Sequence, residues 1–190
     1  MFIAGILIAM LALPAAAAPK SAEGQMLDKA GTVIADWPDD SRRTAETMIQ
    51  KYGVPNAIGD RVLVWNGNAP WKRTVVHRED PGLYPRRPGA LQQVVDYEVP
   101  ARAVSKLEDL GAGLSVSHDR RELSASNESE AQNFLAMNLA DDVIAGRLSA
   151  AQARESYART LALRESGKTS PTTEKLGFTP PMPARGRGGR

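Results

Sequence analysis

The sequence predicts an α+β fold: a single domain in which an antiparallel sheet is packed by helices on one face, in the order α-β-β-β-α-β-β-α-α. Two observations carry this expectation. Helical periodicity brackets the chain at 38–52 and again at 128–163, while runs rich in Val and Trp, separated by turn residues, fill the middle. No internal repeat is present, and the roughly 130 residues between 35 and 163 have the size of one domain with a proper core.

The first helix is expected over about 38–52. Pro38 suits its first position, Asp39 and Asp40 suit the positive end of the helix dipole, and Ala45, Met48, Ile49 and Tyr52 form one apolar stripe before Gly53 and Pro55. RVLVWN (61–66) and WKRTVVHR (71–78) read as two strands joined through Gly67-Asn68-Ala69-Pro70. A Pro/Gly-rich loop covers 79–89, and 91–99 alternates weakly as a third strand, with helix as the alternative. Residues 100–111 start with Pro, end with Gly and align Ala103, Val104 and Leu107, which makes a helix. LSVSHDRRELSAS places two short strands around a His118-Asp119-Arg120 turn. Glu128 to Gly146 is the longest helical pattern, and Ser149 with Gln152 forms a capping box ahead of a last helix carrying Ala153, Tyr157 and Leu161.

Both ends separate from this domain by composition. Residues 1–17 carry no charge and close on Ala15-Ala16-Ala17, the pattern of a cleaved export signal, so the mature chain is expected to begin near Ala18 in the periplasm or outside the cell. No Lys or Arg precedes the run, which leaves a start codon further upstream open. The alternative is an uncleaved anchor, which needs about 20 apolar residues. Residues 18–34 are expected as a flexible linker. Residues 164–190 hold six basic against two acidic residues with four Pro and five Gly, and read as a disordered basic tail that contacts anionic envelope polymers or lipids.

The totals exclude several classes. With 24 Lys+Arg against 22 Asp+Glu, the charge is too balanced for a nucleic-acid-coating surface, so no specific nucleic-acid partner is expected. The absence of Cys excludes disulfide frameworks and thiol catalysis, and two histidines cannot build a three-histidine metal site. Neither a metal nor a cofactor is implied, and no catalytic residue is assigned.

Two constellations supply candidate binding residues. Trp65 and Trp71 flank the hairpin connection, where they are expected to face each other as an aromatic cross-strand pair, with Arg73 and His77 on the strand face that Trp71 begins. Core or hairpin packing is the alternative role for the tryptophans. In the helix from Glu128, apolar residues recur nearly all round, so its polar residues are informative. Asn138 and Asp142 stand four apart between Phe134 and Leu135 and can address one partner together. A buried Asp142 demands a counter-charge, and Arg73 or Arg121 is the expected donor; a ligand contact is the alternative.

WNGNAPWKRTVVHRE and ELSASNESEAQNFLAMNLADDVIAGRLSAAQAR resemble segments of a family of uncharacterised exported bacterial proteins, in which a tryptophan-bracketed hairpin precedes an NFLAxNLAxD-type helix. The resemblance covers about residues 35–160 and implies export and a single α+β domain, with no activity attached. The functional expectation is a non-catalytic binding or structural module of the cell envelope that takes a small polar ligand or an envelope component. The alternative is a periplasmic hydrolase or lyase using Asp142 or His77 as acid/base.

Overall fold

The computed structural model describes residues 21–78, 89–119 and 121–180. Its elements run α1 (Ala22–Ile34), α2 (Asp39–Tyr52), β1 (Ala57–Gly59), β2 (Val62–Asn66), β3 (Arg73–His77), β4 (Leu91–Asp96), α3 (Ala101–Leu110), β5 (Leu114–Ser117), β6 (Glu122–Asn127), α4 (Glu130–Ile144) and α5 (Ala150–Glu165), followed by a 3-10 turn at Pro171–Thr173. The six strands form one antiparallel sheet in the order β1-β2-β3-β4-β6-β5. The fold is therefore α+β, as the sequence patterns predict.

Strand alternation sets which face is covered. Leu63, Trp65, Val76 and Leu91 pack with Ile34, Trp37, Ala45 and Met48 in one apolar cluster under α1 and α2. Val95, Leu123 and Ala125 pack with Leu107, Phe134, Leu139 and Ala153 in a second cluster under α3, α4 and α5. Tyr52 packs against both clusters. Arg73, Val75 and His77 alternate with Thr74 and Val76, so they belong to the face away from α4.

Four features differ from expectation. Residues 22–34, expected as a linker, form α1, capped by Ser21 and anchored through buried Ala30 and Ile34. Gly24 and Gly31 lower its helical signal, and packing on the sheet makes up the difference. β1 is an added edge strand of three residues, too short for a periodic signal. Trp65 lies opposite Thr74, and the ladder ends at Asn66 opposite Arg73, so the expected Trp65–Trp71 pair does not form. Trp71 leaves the strand and stacks on Phe134, ring centroids 4.8 Å apart.

The fourth difference is at the C-terminus. Residues up to 180, expected within the disordered tail, instead pack on the domain as far as they are described: Thr173 is buried, Leu176 and Phe178 join the apolar cluster, and the Phe178 ring meets Tyr97 edge-on at 5.4 Å. Asn138 fastens this strap. Its Nδ2 donates to the carbonyls of Thr172 and Lys175, both at 2.9 Å, and its Oδ1 accepts from the Gly177 N–H at 2.6 Å. The rest of the expected tail, 181–190, and the segment 1–17, expected as an export signal, lie outside the described residues.

Truncation after Ser166 is accordingly expected to lower the thermal midpoint by more than about 5 °C. Asn138→Ala, which strands two carbonyls and one N–H, should cost about 1–3 kcal/mol in equilibrium denaturation. Unchanged midpoints would show that the strap contributes nothing to the fold.

Candidate functional site

The helix α4 begins at Ser129, whose hydroxyl accepts from Gln132 N–H, and its first residue is Glu130. A carboxylate there is favoured by the helix dipole, yet this one is only 9% exposed and needs partners. It has four. Lys51 and Tyr52, at the end of α2, both donate to it. Trp71 Nε1 donates at 2.7 Å and Gln93 Nε2, from β4, at 3.0 Å. Burial alone would raise the Glu130 carboxyl, but the hydrogen bonds from Lys51, Tyr52, Trp71 and Gln93 hold it below the ordinary range. Burial and this carboxylate push the Tyr52 phenol upward.

The network continues inward. Gln93 also donates to Thr74 Oγ1 at 3.3 Å and accepts from Asn133 Nδ2 at 3.0 Å, and Asn133 in turn accepts from Asn127 Nδ2 at 2.9 Å. Tyr157 Oη closes the chain on Asn127 Oδ1 at 3.2 Å. Polar side chains thus link α2, the sheet, α4 and α5 across the core.

Outside Glu130 lies a groove of about 810 Å³ between α2 and the start of α4. Ser41, Thr44, Thr47 and Lys51 line it from α2, Met48 and Leu91 give it an apolar floor, and Ser129 and Glu130 close its end. Gly89 forms part of the wall because the backbone passes so near β6 that a Cβ there would stand 2.1 Å from the Asn127 carbonyl carbon. The Lys51 side chain is 47% exposed, so its ammonium reaches both the buried carboxylate and the groove.

The sequence candidates do not converge on one site. Trp71 belongs to the Glu130 network, but Trp65 is buried under α2 with its Nε1 donating to Gly53 O at 3.0 Å. Arg73 is paired with Glu122 at 3.0 Å, and Lys72 bridges Glu122 and Asp96 at 2.9 and 2.6 Å. His77 sits on the sheet face away from α4. Asn138 holds the C-terminal strap. Asp142 corrects the expectation of a buried ion pair: its side chain is 34% exposed and pairs with Arg147 at 2.6 Å, while Arg121 pairs with Glu98 at 2.9 Å. The buried carboxylate of this helix is Glu130. Its spacing gave a signal, since Glu130 stands four residues before Phe134 and shares its face; Trp71 touches both.

Among the described residues no group of three or more His, Asp or Glu is arranged to hold a metal. No helix among them is long and apolar enough to cross a membrane. Comparison with known proteins gives no match to a family model, a curated protein or a solved structure.

Glu130→Ala leaves four donors without their acceptor and is expected to cost about 3–5 kcal/mol in equilibrium denaturation. Asp142→Ala should leave the midpoint nearly unchanged, because its pair is open to solvent. The acid response follows from the sign of the Glu130 shift. A carboxyl held below its unfolded value of 4.5 stabilises the fold fully above that pH and loses this contribution as pH falls through the folded value. The stability gap between wild type and Glu130→Gln should therefore narrow from pH 7 to pH 3; a constant gap would show that the charge of Glu130 contributes nothing.

Proposed function

We propose that this chain is an exported, non-catalytic module of the cell envelope that binds a small polar ligand in the groove between α2 and α4. The observation that carries the reading is Lys51, held by a buried carboxylate yet open to a cavity of small-molecule size with hydroxyls along one wall and an apolar floor. Such a lining suits a ligand with polar edges and an apolar face, such as a sugar. Export rests on the charge-free apolar start of the chain and its alanine tract.

Two facts favour binding over acid/base chemistry. A catalyst needs titratable groups converging on one cavity, and His77 and Asp142 belong to opposite sides of the sheet. The Glu130 carboxylate has four donors of its own and a lowered pKa, which suits a fixed anchor better than a proton carrier near neutral pH.

The reading is tested by a thermal-shift screen of the chain against sugars, amino acids and nucleotides, repeated on Lys51→Gln. A ligand of the groove raises the wild-type midpoint by mass action and loses most of that shift in the variant. Shifts that Lys51→Gln leaves intact would place binding elsewhere. Export has its own measurement: protein recovered from the cell envelope should have an intact mass lacking about 17 N-terminal residues, and recovery of full-length chain in the membrane fraction alone would support the anchor.

A further inference from the structure

The groove at Lys51 is lined along α2 by Ser41, Thr44, Thr47 and Lys51, which recur every three or four residues and so share one face of the helix. Their polar groups are not equivalent. Thr44 and Thr47 donate back to the carbonyls of Asp40 and Arg43, both at 2.8 Å, so each offers a ligand lone pairs and no proton. Ser41 is 5% exposed, yet its hydroxyl has no hydrogen-bond partner among the described residues. A hydroxyl so largely withdrawn from water is costly to leave unpaired, and the groove that it lines is where a partner can arrive.

The opposite wall supplies donors. The Glu130 and Ala131 N–H groups that open α4 have no acceptor among the described residues, because the Ser129 hydroxyl is used on Gln132 and the Glu130 carboxylate is turned to Lys51, Tyr52, Trp71 and Gln93. The Lys51 ammonium gives one bond to Glu130 and has donors to spare for the groove.

Charge in the groove is already settled. Arg43 is paired with Asp40 and Lys51 with Glu130, while Glu128, the other charged residue of the described lining, is exposed at the rim and engaged there. An anionic or cationic ligand gives up water here without gaining an unpaired counter-charge. A ligand hydroxyl suits both walls, since it donates to a Thr oxygen and accepts from Lys51 or an α4 N–H. Length narrows the class further. Lys51 stands ten positions after Ser41, about 15 Å along the helix axis, which calls for two linked sugar rings and not one. Met48 and Leu91 meet the apolar faces of such rings.

We propose that the groove takes an uncharged sugar of two linked rings, whose hydroxyls donate to Thr44 and Thr47 and supply the partner that Ser41 lacks. This rests on the reading of the groove as a binding site, and adds the charge and length of the ligand and a residue, Ser41, whose hydroxyl serves the ligand and not the fold.

Isothermal titration calorimetry of the full chain tests it with a fixed set of probes. These are the neutral disaccharides maltose, cellobiose, lactose, trehalose and diacetylchitobiose, the single rings D-glucose, D-glucuronate and D-glucosamine, and the zwitterion leucyl-leucine. At least one neutral disaccharide is expected to bind, and more tightly than any single ring or charged probe. Ser41→Ala and Thr47→Val should each weaken it about three- to tenfold, the effect of one lost neutral hydrogen bond. The decisive readout is Ser41→Ala, whose thermal midpoint should be unchanged or raised while its affinity falls, because the substitution strands no partner and Ala is the better helix former. A lowered midpoint shows that the hydroxyl serves the fold, and overturns the proposal. So does a disaccharide bound equally well by Ser41→Ala and Thr47→Val. Binding of glucuronate, glucosamine or leucyl-leucine alone, lost in Lys51→Gln, overturns the uncharged class and leaves the groove a binding site. Silence of every disaccharide at about 10 mM overturns the proposal, and overturns the groove reading as well only when the wider screen is also silent.

Discussion

A single carboxylate organises the interior. Glu130 is removed from water at the start of α4, and a buried charge of this kind is tolerated only when its acceptor positions are filled. The donors come from three other places in the chain: Lys51 and Tyr52 at the end of α2, Trp71 ahead of β3, and Gln93 in β4. Satisfying the charge therefore fixes how α2 and α4 sit on the sheet. It also explains the path of Trp71, which leaves the hairpin ladder so that its indole can stack on Phe134 while its N–H reaches the carboxylate.

The consequences spread through Tyr52 and Gln93. Tyr52 packs against both apolar clusters, so its hydroxyl bond to Glu130 fixes the seam between them. Gln93 passes the network to Asn133, whose Nδ2 also takes the Leu91 carbonyl at 3.2 Å, and on to Asn127 and Tyr157. On the other face the charges are settled locally. Burial alone would raise the Glu122 carboxyl, but Lys72 and Arg73 hold it below its ordinary range. The groove at Lys51 thus opens on a hydrogen-bonded base that joins α2, β4 and α4.

The α+β class was legible in the sequence because it depends on periodicity, and the helices at 39–52, 101–110, 130–144 and 150–165 fall where their patterns place them. What periodicity does not carry is position along an axis. The helical wheel put Asn138 and Asp142 on neighbouring azimuths between Phe134 and Leu135, but burial changes along α4: its middle is enclosed while its last turn emerges, where Arg147 folds back onto Asp141 and Asp142. Glu130 has the complementary history. As a first-turn acid behind a Ser cap it looks like ordinary helix-end chemistry, and only the arrival of α2 and Trp71 from distant sequence makes it the core charge. The tryptophan pair failed for a smaller reason: the ladder closes at Asn66 and Arg73, which leaves Trp71 outside it.

The strap at 171–178 shows why composition misjudges a short segment. Ordering backbone costs roughly 1–2 kcal/mol per residue, and a stretch rich in Pro, Gly and Lys has little apolar surface to offset that cost. Here the offset is concentrated rather than spread. Leu176 and Phe178 enter an existing apolar cluster, Tyr97 turns its ring to Phe178 and its hydroxyl to Asp141 at 2.6 Å, and one side chain, Asn138, serves three backbone groups. Prolines also reduce the freedom that must be lost, since Pro171 and Pro180 restrict the chain before it docks. The polar stripe on α4 is thus occupied by the protein's own chain, which is why Asn138 can be buried, saturated with hydrogen bonds and still unrelated to the groove at Lys51.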